Sequence, residues 1–269
     1  MLVIFSGGSG VGKNTVISEL LKTGDFALLP TYTTREKRAG ETEGNPYCFL
    51  TDEEFKQKIA EGELYEYQNV HGHYYGTSKL LLKKQRALGK ILLKDIDVLG
   101  TQDLVKSIGG DVKIVTLFLK VDSKEVLVER LTERKETEIE KRLSRYDMEM
   151  SYCDKYDYII TNYDLISTKN VALKIVSAER KELPFGVGYP FNYDEKRINA
   201  LVASLLGGEL LSPVKVAFDG DKPYIIDGAD KYLASIIANK HVAKEIVEGY
   251  KVVNYDQTAW EKAIINIKG

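Results

Sequence analysis

The sequence contains little cysteine, almost no excess of charge of either sign and no long apolar run. Its only cysteines among 269 residues are Cys48 and Cys153, and two thiols so far apart fit neither a disulfide framework nor a zinc motif. The net charge of −2 does not by itself attract nucleic acid or an acidic membrane surface. No apolar run is long enough to cross a bilayer, and the first residues leave no room for a signal peptide. We therefore expect a soluble globular protein of the reducing cytoplasm.

A glycine-rich segment follows the first apolar run. Met1 to Phe5 is apolar, Gly7-Gly-Ser-Gly-Val-Gly-Lys-Asn-Thr15 comes next, and a helical pattern continues to Leu21. The outer glycines and Lys13 have the spacing of a phosphate-binding P-loop. Glycines let backbone N–H groups face phosphate oxygens, and the helix N-terminus and the lysine add positive charge. We favour a nucleotide-phosphate site over a plain glycine turn; its residues would be Gly8, Ser9, Gly10, Val11, Gly12, Lys13, Asn14 and Thr15.

The P-loop departs from its usual pattern at one position. Asn14 stands where the motif has a Ser or Thr hydroxyl for magnesium, and the next hydroxyl belongs to Thr15. The asparagine still offers a hard oxygen, and magnesium keeps several waters at such sites. We therefore expect Mg²⁺ binding to be adjusted and not lost.

Strands and helices alternate along the first two thirds of the sequence. The runs 91–97, 112–121 and 156–161 are predicted strands, and helical patterns separate them. This alternation predicts an α/β fold with a mostly parallel, doubly wound sheet and helices on both faces. Ligands of open α/β sheets bind at the carboxyl ends of the strands. Asp95 and Asp97 lie at such an end and are candidate site residues.

Two further segments have an unusual composition. The tyrosine-rich segment 64–77 is predicted to form a half-buried sheet face, with His71 and His73 at a turn beside Gly72 and not at a metal site. The segment 130–145 is a charged run that contains several arginines. Such runs are usually solvated helix faces. In a chain with a triphosphate loop, however, we favour arginines that contact phosphate.

The sequence changes character between Leu183 and Asn192, where Leu-Pro-Phe-Gly-Val-Gly-Tyr-Pro-Phe-Asn has neither the helical nor the strand period. We predict a linker over 183–192. It would separate a P-loop domain at 1–182 from a small α+β domain at 193–269.

The motifs of the first domain resemble the guanylate kinase family of P-loop nucleoside-monophosphate kinases. The resemblance rests on Thr33-Thr-Arg-Glu-Lys-Arg-Ala-Gly-Glu41, Val70-His-Gly-His-Tyr-Tyr-Gly-Thr77 and Lys94-Asp-Ile-Asp97, in this order. It implies ATP-dependent phosphorylation of GMP, and of dGMP, with Mg²⁺ as the cofactor. One alternative is a silent guanylate-kinase-like scaffold domain, which the intact phosphate machinery disfavours. The other is a P-loop kinase for another small phosphate, which should lack the base-reading residues.

The resemblance also implies a role for each matched residue. Arginines and tyrosines hold the GMP phosphate, while two threonines and a glutamate read the base. The implied GMP-binding set is Thr31, Arg35, Arg38, Tyr47, Glu66, Tyr75, Thr77 and Asp97; Arg130 and Asn162 join the P-loop on ATP; Asn14 and, through water, Asp95 hold the metal; and the catalytic set is Lys13, Arg38, Asp97, Arg134 and Arg142. The lid between Arg134 and Arg142 is a few residues shorter than is usual in the family.

The C-terminal domain carries a second resemblance. Tyr224-Ile-Ile-Asp-Gly-Ala-Asp-Lys-Tyr-Leu-Ala234 is similar to the turn into a helix that holds phosphate in the ParB and sulfiredoxin-like fold. That family usually has His-Arg where this chain has Asp230-Lys231. A structural or oligomerisation domain is the alternative, with Tyr255 and Trp260 in its core or at a subunit interface. Our hypothesis is an accessory module that contacts a ligand or a partner and has no catalysis of its own.

Overall fold

The computed structural model describes residues 1–38, 40–70, 72–133, 139–253 and 257–268. The chain forms two compact units. The first consists of Met1–Ser6 and Lys13–Val115, and the second of Gly7–Gly12 and Thr116–Gly269. Three residues discussed above, His71, Arg134 and Tyr255, lie outside the described residues.

The first unit contains two sheets. In a parallel sheet, strand β7 lies between β1 and β2, and a mixed sheet has the strand order β4-β3-β6-β5. The elements of this unit, in chain order, are β1 (Leu2–Ser6), α1 (Lys13–Leu21), β2 (Phe26–Leu28), β3 (Thr31–Thr33), β4 (Tyr47–Phe49), α2 (Asp52–Ala60), β5 (Leu64–Val70), β6 (His73–Ser78), α3 (Lys79–Arg86), β7 (Ile91–Asp95) and α4 (Val98–Ile108). The predicted extended structure of segment 64–77 is confirmed by β5 and β6.

An apolar core explains the parallel sheet of the first unit. Leu2 and Ile4 of β1 are completely buried and pack in one cluster with Leu92 of β7 and Leu104 of α4. A run of apolar residues without alternation is typical of a strand covered on both faces. Each such side chain contributes roughly 1.5–3 kcal/mol when it leaves water. This burial therefore stabilises β1 and β7, and β7 ends at the candidate site residue Asp95.

Helix α2 begins where the local sequence requires it. The hydroxyl of Thr51 accepts a hydrogen bond from the backbone N–H of Glu54 at 3.1 Å, and the Glu54 carboxylate accepts one from the Thr51 N–H at 2.8 Å. This reciprocal capping box satisfies two N–H groups that a helix start leaves without partners. The chain leaves the helix through Gly62, whose φ of 67° favours glycine. The helix brings the buried ring of Phe55 under the four-stranded sheet, where it stacks on Tyr74.

The second unit carries strands in the order β8-β9-β13-β11-β12-β10. Among its described strands only β11 and β12 pair antiparallel, and the predicted mostly parallel α/β fold is confirmed. Its elements are β8 (Ile114–Lys120, which begins in the first unit), α5 (Lys124–Glu133), α6 (Ile139–Met150), β9 (Tyr158–Thr161), α7 (Leu165–Lys181), β10 (Gly186–Val187), α8 (Glu195–Leu206), β11 (Val214–Asp219), β12 (Lys222–Asp227), α9 (Ala229–Ala238), β13 (Lys244–Ile246) and α10 (Thr258–Lys268).

The C-terminal strands continue the sheet of the second unit. Strand β13 pairs in parallel with β9, with Lys244 opposite Tyr158 and Glu245 opposite Ile159. The Glu245 carboxylate also accepts a hydrogen bond from the Lys120 ammonium at 2.7 Å. Residues on both sides of 183–192 therefore share one sheet, and the linker predicted there stays a prediction.

Trp260 belongs to the interior of the second unit. Its side chain is 2% exposed, its indole N–H donates to the carbonyl oxygen of Phe185 at 2.7 Å, and its ring meets Phe191 edge to face. Buried indoles need such a partner for their N–H group. Of the two placements expected for Trp260, the core is the one observed. In the described part of the chain, no helix is long and apolar enough to cross a membrane.

Candidate functional site

The glycine loop of the second unit lies against the end of β8. A Cβ atom on Gly7, whose φ is 126°, would lie 2.0 Å from the backbone oxygen of Leu119. A Cβ on Gly12 would lie 2.5 Å from the side-chain nitrogen of Asn162. No other residue type fits at either position without moving backbone or a buried side chain. Gly7 and Gly12 are therefore needed for the close packing of this loop.

The side chain of Asn162 holds this loop through a hydrogen bond to its backbone. Its side-chain amide donates to the backbone oxygen of Val11 at 2.7 Å, and its side-chain oxygen accepts from the hydroxyl of Thr168 at 2.9 Å. Asn162 is only 6% exposed. A buried amide that is satisfied on both ends holds its neighbours in one arrangement. Asn162, which the resemblance places on ATP, thus holds the predicted P-loop in position.

Two predicted arginines are placed around the loop in the second unit. The guanidinium of Arg130 donates to the backbone oxygens of Asn162 at 2.7 Å and Tyr163 at 3.3 Å. The guanidinium of Arg142, from α6, donates to the hydroxyl of Ser9. Both side chains are half-buried. Arg134, the third arginine of the predicted lid, lies outside the described residues.

The first unit contains a cavity of about 490 Å³. Most side chains predicted to bind GMP line it, together with Asn14 of α1 and Asp95 of β7. From the predicted sets its walls contain Asn14, Thr31, Arg35, Arg38, Tyr47, Tyr75 and Asp95. Glu66, Thr77 and Asp97 of the predicted GMP-binding set are missing from its described lining. This cavity is the candidate acceptor-nucleotide site.

Arg35 is held in position before any anion arrives. Its guanidinium donates to the Glu41 carboxylate at 2.7 Å and lies 5.2 Å from the centre of the Tyr47 ring. The second oxygen of Glu41 accepts from the backbone N–H of Arg38 at 2.8 Å. Burial raises the pKa of Tyr47 to about 12, so its hydroxyl keeps its proton and can donate. The cavity thus offers a guanidinium fork and a phenol, both of which suit phosphate oxygens.

A buried polar chain extends from this cavity to Glu66. The ammonium of Lys94 donates to the hydroxyl of Thr31 at 2.7 Å, and the hydroxyl of Thr77 donates to the Glu66 carboxylate. Burial raises the pKa of Glu66, and Lys94 and Thr77 partly offset that effect. Burial lowers the pKa of Lys94 to about 8, against the opposing influence of Glu66 and Asp95. Among these buried polar groups, the ammonium of Lys94 thus interacts with two carboxylates, those of Glu66 and Asp95.

The acids after β7 have different surroundings. Asp95 lines the cavity, and burial raises the pKa of this carboxyl while Lys13 and Lys94 oppose the shift. Asp97 caps α4, since its carboxylate accepts from the backbone N–H of Gly100 at 2.7 Å. The predicted strand 91–97 therefore ends at Asp95, because Asp97 begins the next helix.

The predicted metal ligands fit a magnesium ion. Asn14 and Asp95 both present hard oxygens to the same cavity, which is the donor type that Mg²⁺ prefers. A buried carboxylate such as Asp95 also gains from a cation close by. Among the described residues there is no cluster of three His, Cys, Asp or Glu side chains suited to a metal. A metal here would keep most of its own waters.

Sequence reasoning missed three supporting residues. The family motifs contain Lys94 and Glu41 without indicating a role for either, and no motif contains Thr168. The signal for Lys94 was available, since a charged residue inside the apolar run Ile91–Asp95 needs a reason. No local pattern identifies Thr168, whose partner Asn162 lies in the segment between β9 and α7.

Comparisons with known proteins agree with this geometry. A family model described as guanylate kinase matches residues 1–178. A guanylate kinase of Helicobacter pylori is 41% identical over 181 residues, covering 65% of this chain and 85% of that protein. One from Thermotoga maritima is 35% identical over 184 residues, covering 68% and 88%. The crystal structure of guanylate kinase from Anaplasma phagocytophilum matches with a TM-score of 0.53 and 31% identity, over 66% of this chain and 85% of that one.

Proposed function

This chain belongs to the guanylate kinase family and phosphorylates GMP with ATP, and from that premise we propose which of its residues carry out each part of the reaction. The cavity of the first unit binds GMP, and the Gly7–Gly12 loop with Lys13 binds the ATP phosphates. The observation that carries the proposal is the wall of that cavity, where Arg35, Arg38 and Tyr47 converge. We extend the proposal to dGMP as a second acceptor.

Arg35, Arg38, Tyr47 and Tyr75 bind the phosphate of GMP. Arg35 already lies over Tyr47 and is aligned by Glu41, so little side-chain freedom is lost when phosphate binds. The ring of Tyr75 meets that of Tyr47 edge to face at 6.0 Å, which keeps both hydroxyls on one wall. Two guanidinium groups and two phenols match the charge and the several oxygens of a phosphomonoester.

Thr31, Glu66 and Thr77 read the base. Guanine presents N1–H and its 2-amino group as adjacent donors, and one carboxylate accepts both. Its O6 atom is an acceptor and suits a hydroxyl donor. The burial of Glu66, at 8% exposure, supports this role, because a desolvated carboxylate strongly favours a partner with two donors.

The P-loop and the arginines neutralise charge on the transferred phosphoryl group. That group spreads negative charge over its oxygens in the transition state, so positioning and cations supply most of the catalysis. Lys13, Arg38, Arg142 and Arg134 are the proposed cations. Asp97 orients the acceptor, and its position at the start of α4 keeps it rigid. Arg130 and Asn162 complete the ATP side by holding the loop.

Asn14 and Asp95 are the proposed magnesium-binding residues, Asp95 through water. When bound, the metal neutralises phosphate charge and aligns the outer phosphates of ATP. The protein contributes two oxygens and a partly buried environment. Lys13, which opposes the raised pKa of Asp95, favours the ionised form of that carboxyl.

A coupled assay with pyruvate kinase and lactate dehydrogenase tests the proposal. It measures ADP formed from ATP in the presence of GMP, dGMP or AMP. We expect turnover with GMP and dGMP and a preference over AMP of roughly 10⁴-fold, since sites built around a hydrogen bond reject analogues that lack it. Equal efficiency with GMP and AMP would overturn the base assignment. No turnover with any acceptor would point to the scaffold alternative.

For residues 193–269 we propose an accessory role without catalysis. Two contacts support it. Asp230, which replaces the donor expected in a ParB-like turn, forms an ion pair with Arg197 at 3.1 Å. The backbone N–H of Ala229, at the start of α9, donates to the hydroxyl of Tyr189. At this turn the N–H of Ala229 is therefore already used inside the protein, and the carboxylate of Asp230 is unfavourable for a phosphate.

The variants Asp227→Ala and Lys231→Ala test the accessory role. Light scattering after size exclusion would report the oligomeric state, and the coupled assay would report ATP and GMP use. We expect a change in assembly or in ligand-dependent behaviour with the kinase rate retained. If both variants leave every measured interaction unchanged, the idea of a binding module at this turn is wrong.

A further inference from the structure

Lys94 is the only charged side chain inside the described strand β7 before its final residue, and it is completely buried. A lysine at such a position is costly unless its ammonium is used. None of the roles proposed above explains it. The sequence neighbours Leu92 and Leu93 are buried in the apolar core, so an apolar residue would suit the strand itself.

The contacts of Lys94 lead to the base-reading residues. Its ammonium donates to the hydroxyl oxygen of Thr31 at 2.7 Å and interacts with the carboxylates of Glu66 and Asp95. An ammonium has three donors and no acceptor. Thr31 must therefore act toward Lys94 as an acceptor, and its own O–H group is left to point elsewhere. Thr31 also lines the cavity of the first unit.

The two threonines of the base-reading set are thereby given opposite polarity. The hydroxyl of Thr77 donates its proton to the Glu66 carboxylate. Toward any other group it can therefore act only as an acceptor. The hydroxyl of Thr31 accepts from Lys94 and presents its proton. A nearby positive charge strengthens that donor. The site thus offers a polarised donor at Thr31 and acceptors at Glu66 and Thr77.

We propose that Lys94 is a positioning residue for base specificity, which acts by orienting Thr31 as a donor and by compensating the charge of Glu66. The proposal rests on the GMP site assigned above. A polarised hydroxyl matches the O6 acceptor of guanine. The 6-amino group of adenine would bring its own donor hydrogens toward the same hydroxyl and the ammonium behind it. Lys94 therefore favours 6-oxopurines over 6-aminopurines without touching the base.

Steady-state kinetics of Lys94→Gln and Lys94→Met test this role. Acceptors would be GMP, IMP and AMP, because IMP keeps O6 and lacks only the 2-amino group. We expect KM to rise about 10- to 100-fold for GMP and for IMP, the range of a hydrogen bond to a charged group, with kcat changed little. The rise should be smaller in Lys94→Gln, which keeps a neutral donor. AMP should gain relative to GMP by a similar factor.

The matched control is Lys90→Gln. Lys90 is exposed and directly precedes β7, so this variant removes the same charge next to the strand without reaching the site. All kinetic constants should stay as in the unmutated protein. A loss in Lys94→Gln that is equal for GMP, IMP and AMP would show a structural role only and would overturn the proposal.

Substitutions at Thr31 keep the test decisive if the Lys94 variants fold poorly. Thr31→Ser retains the hydroxyl and should retain the GMP preference, while Thr31→Val should lose it to the same extent as Lys94→Met. An unchanged ratio of GMP to AMP efficiency in Thr31→Val overturns the inference. Absence of GMP turnover in the unmutated protein would instead refute the proposed function, so the two failures are distinguishable.

Discussion

The side-chain amide of Asn162 donates to the backbone oxygen of Val11 at 2.7 Å, across 151 positions of the sequence. This bond ties the segment after β9 to the middle of the phosphate loop. Thr168 fixes the orientation of the amide from the other side. The loop therefore keeps its shape through a buried side chain in addition to its glycines.

Replacement of Asn162 should weaken ATP binding. Asn162→Leu removes the donor to Val11 and leaves a buried carbonyl oxygen without it, at a cost of roughly 1–3 kcal/mol. We expect a raised KM for ATP, a lower thermal midpoint and an unchanged KM for GMP. Asn170→Leu, an exposed change on the following helix, is the control. An ATP KM equal to that of the unmutated protein would show that the glycines suffice.

Lys13→Ala should abolish turnover and leave the fold intact. The charge of Lys13 is needed only when the outer phosphates must be held, and loss of one such stabilising group costs roughly 10²- to 10³-fold in rate. Circular dichroism and the coupled assay measure the two parts. Lys22→Ala provides a control because that ammonium is exposed and pairs with Glu19. Retained turnover in Lys13→Ala would contradict the phosphate assignment.

Asn14→Ser should change the magnesium requirement more than the maximal rate. The amide oxygen of Asn14 and a serine hydroxyl are both hard ligands, and the metal keeps several waters in either case. We expect half-maximal activity at a modestly lower magnesium concentration and a similar rate at saturation. Titration of activity with magnesium at fixed ATP measures this. Complete loss of activity would show that Asn14 has another role.

The use of GMP should weaken at acid pH through Glu66. Burial raises the pKa of this carboxyl, Asp97 and Asp103 add to the shift, and Lys94 and Thr77 oppose it. As pH falls through that raised pKa, the carboxylate gains a proton and can no longer accept two hydrogen bonds from guanine. The KM for GMP should therefore rise toward low pH.

Stability should respond to Glu66 in the opposite direction. A carboxyl whose pKa is raised by folding binds its proton more tightly in the folded state, so its contribution to the free energy of unfolding increases as pH falls from the raised pKa to about 4.5.

The variant Glu66→Gln tests the predicted pH dependence of the KM for GMP. It should flatten the rise of KM at acid pH while raising KM at neutral pH, because an amide accepts one of the two hydrogen bonds and opposes the other. If the KM of Glu66→Gln for GMP depends on pH as in the unmutated protein, a group other than Glu66 causes the rise at acid pH.

Several features followed directly from short stretches of sequence. The spacing of Gly7, Gly12 and Lys13 predicted the loop between strand and helix. The apolar runs predicted β1, β7, β8 and β9. These features depend on neighbours within a few positions, where backbone geometry and periodicity relate residue type to structure.

The sequence by itself determined the family motifs, the glycine loop and the strands with long apolar runs, because those are local or nearly local properties of the chain. Only the tertiary structure decided that Lys94 reaches Thr31 across 63 positions, that Asn162 holds Val11, and that β13 pairs with β9. Such contacts join segments whose approach is set by the packing of the whole core. Local pattern therefore predicted where phosphate and base bind, and packing set which buried partners orient the groups predicted to bind them.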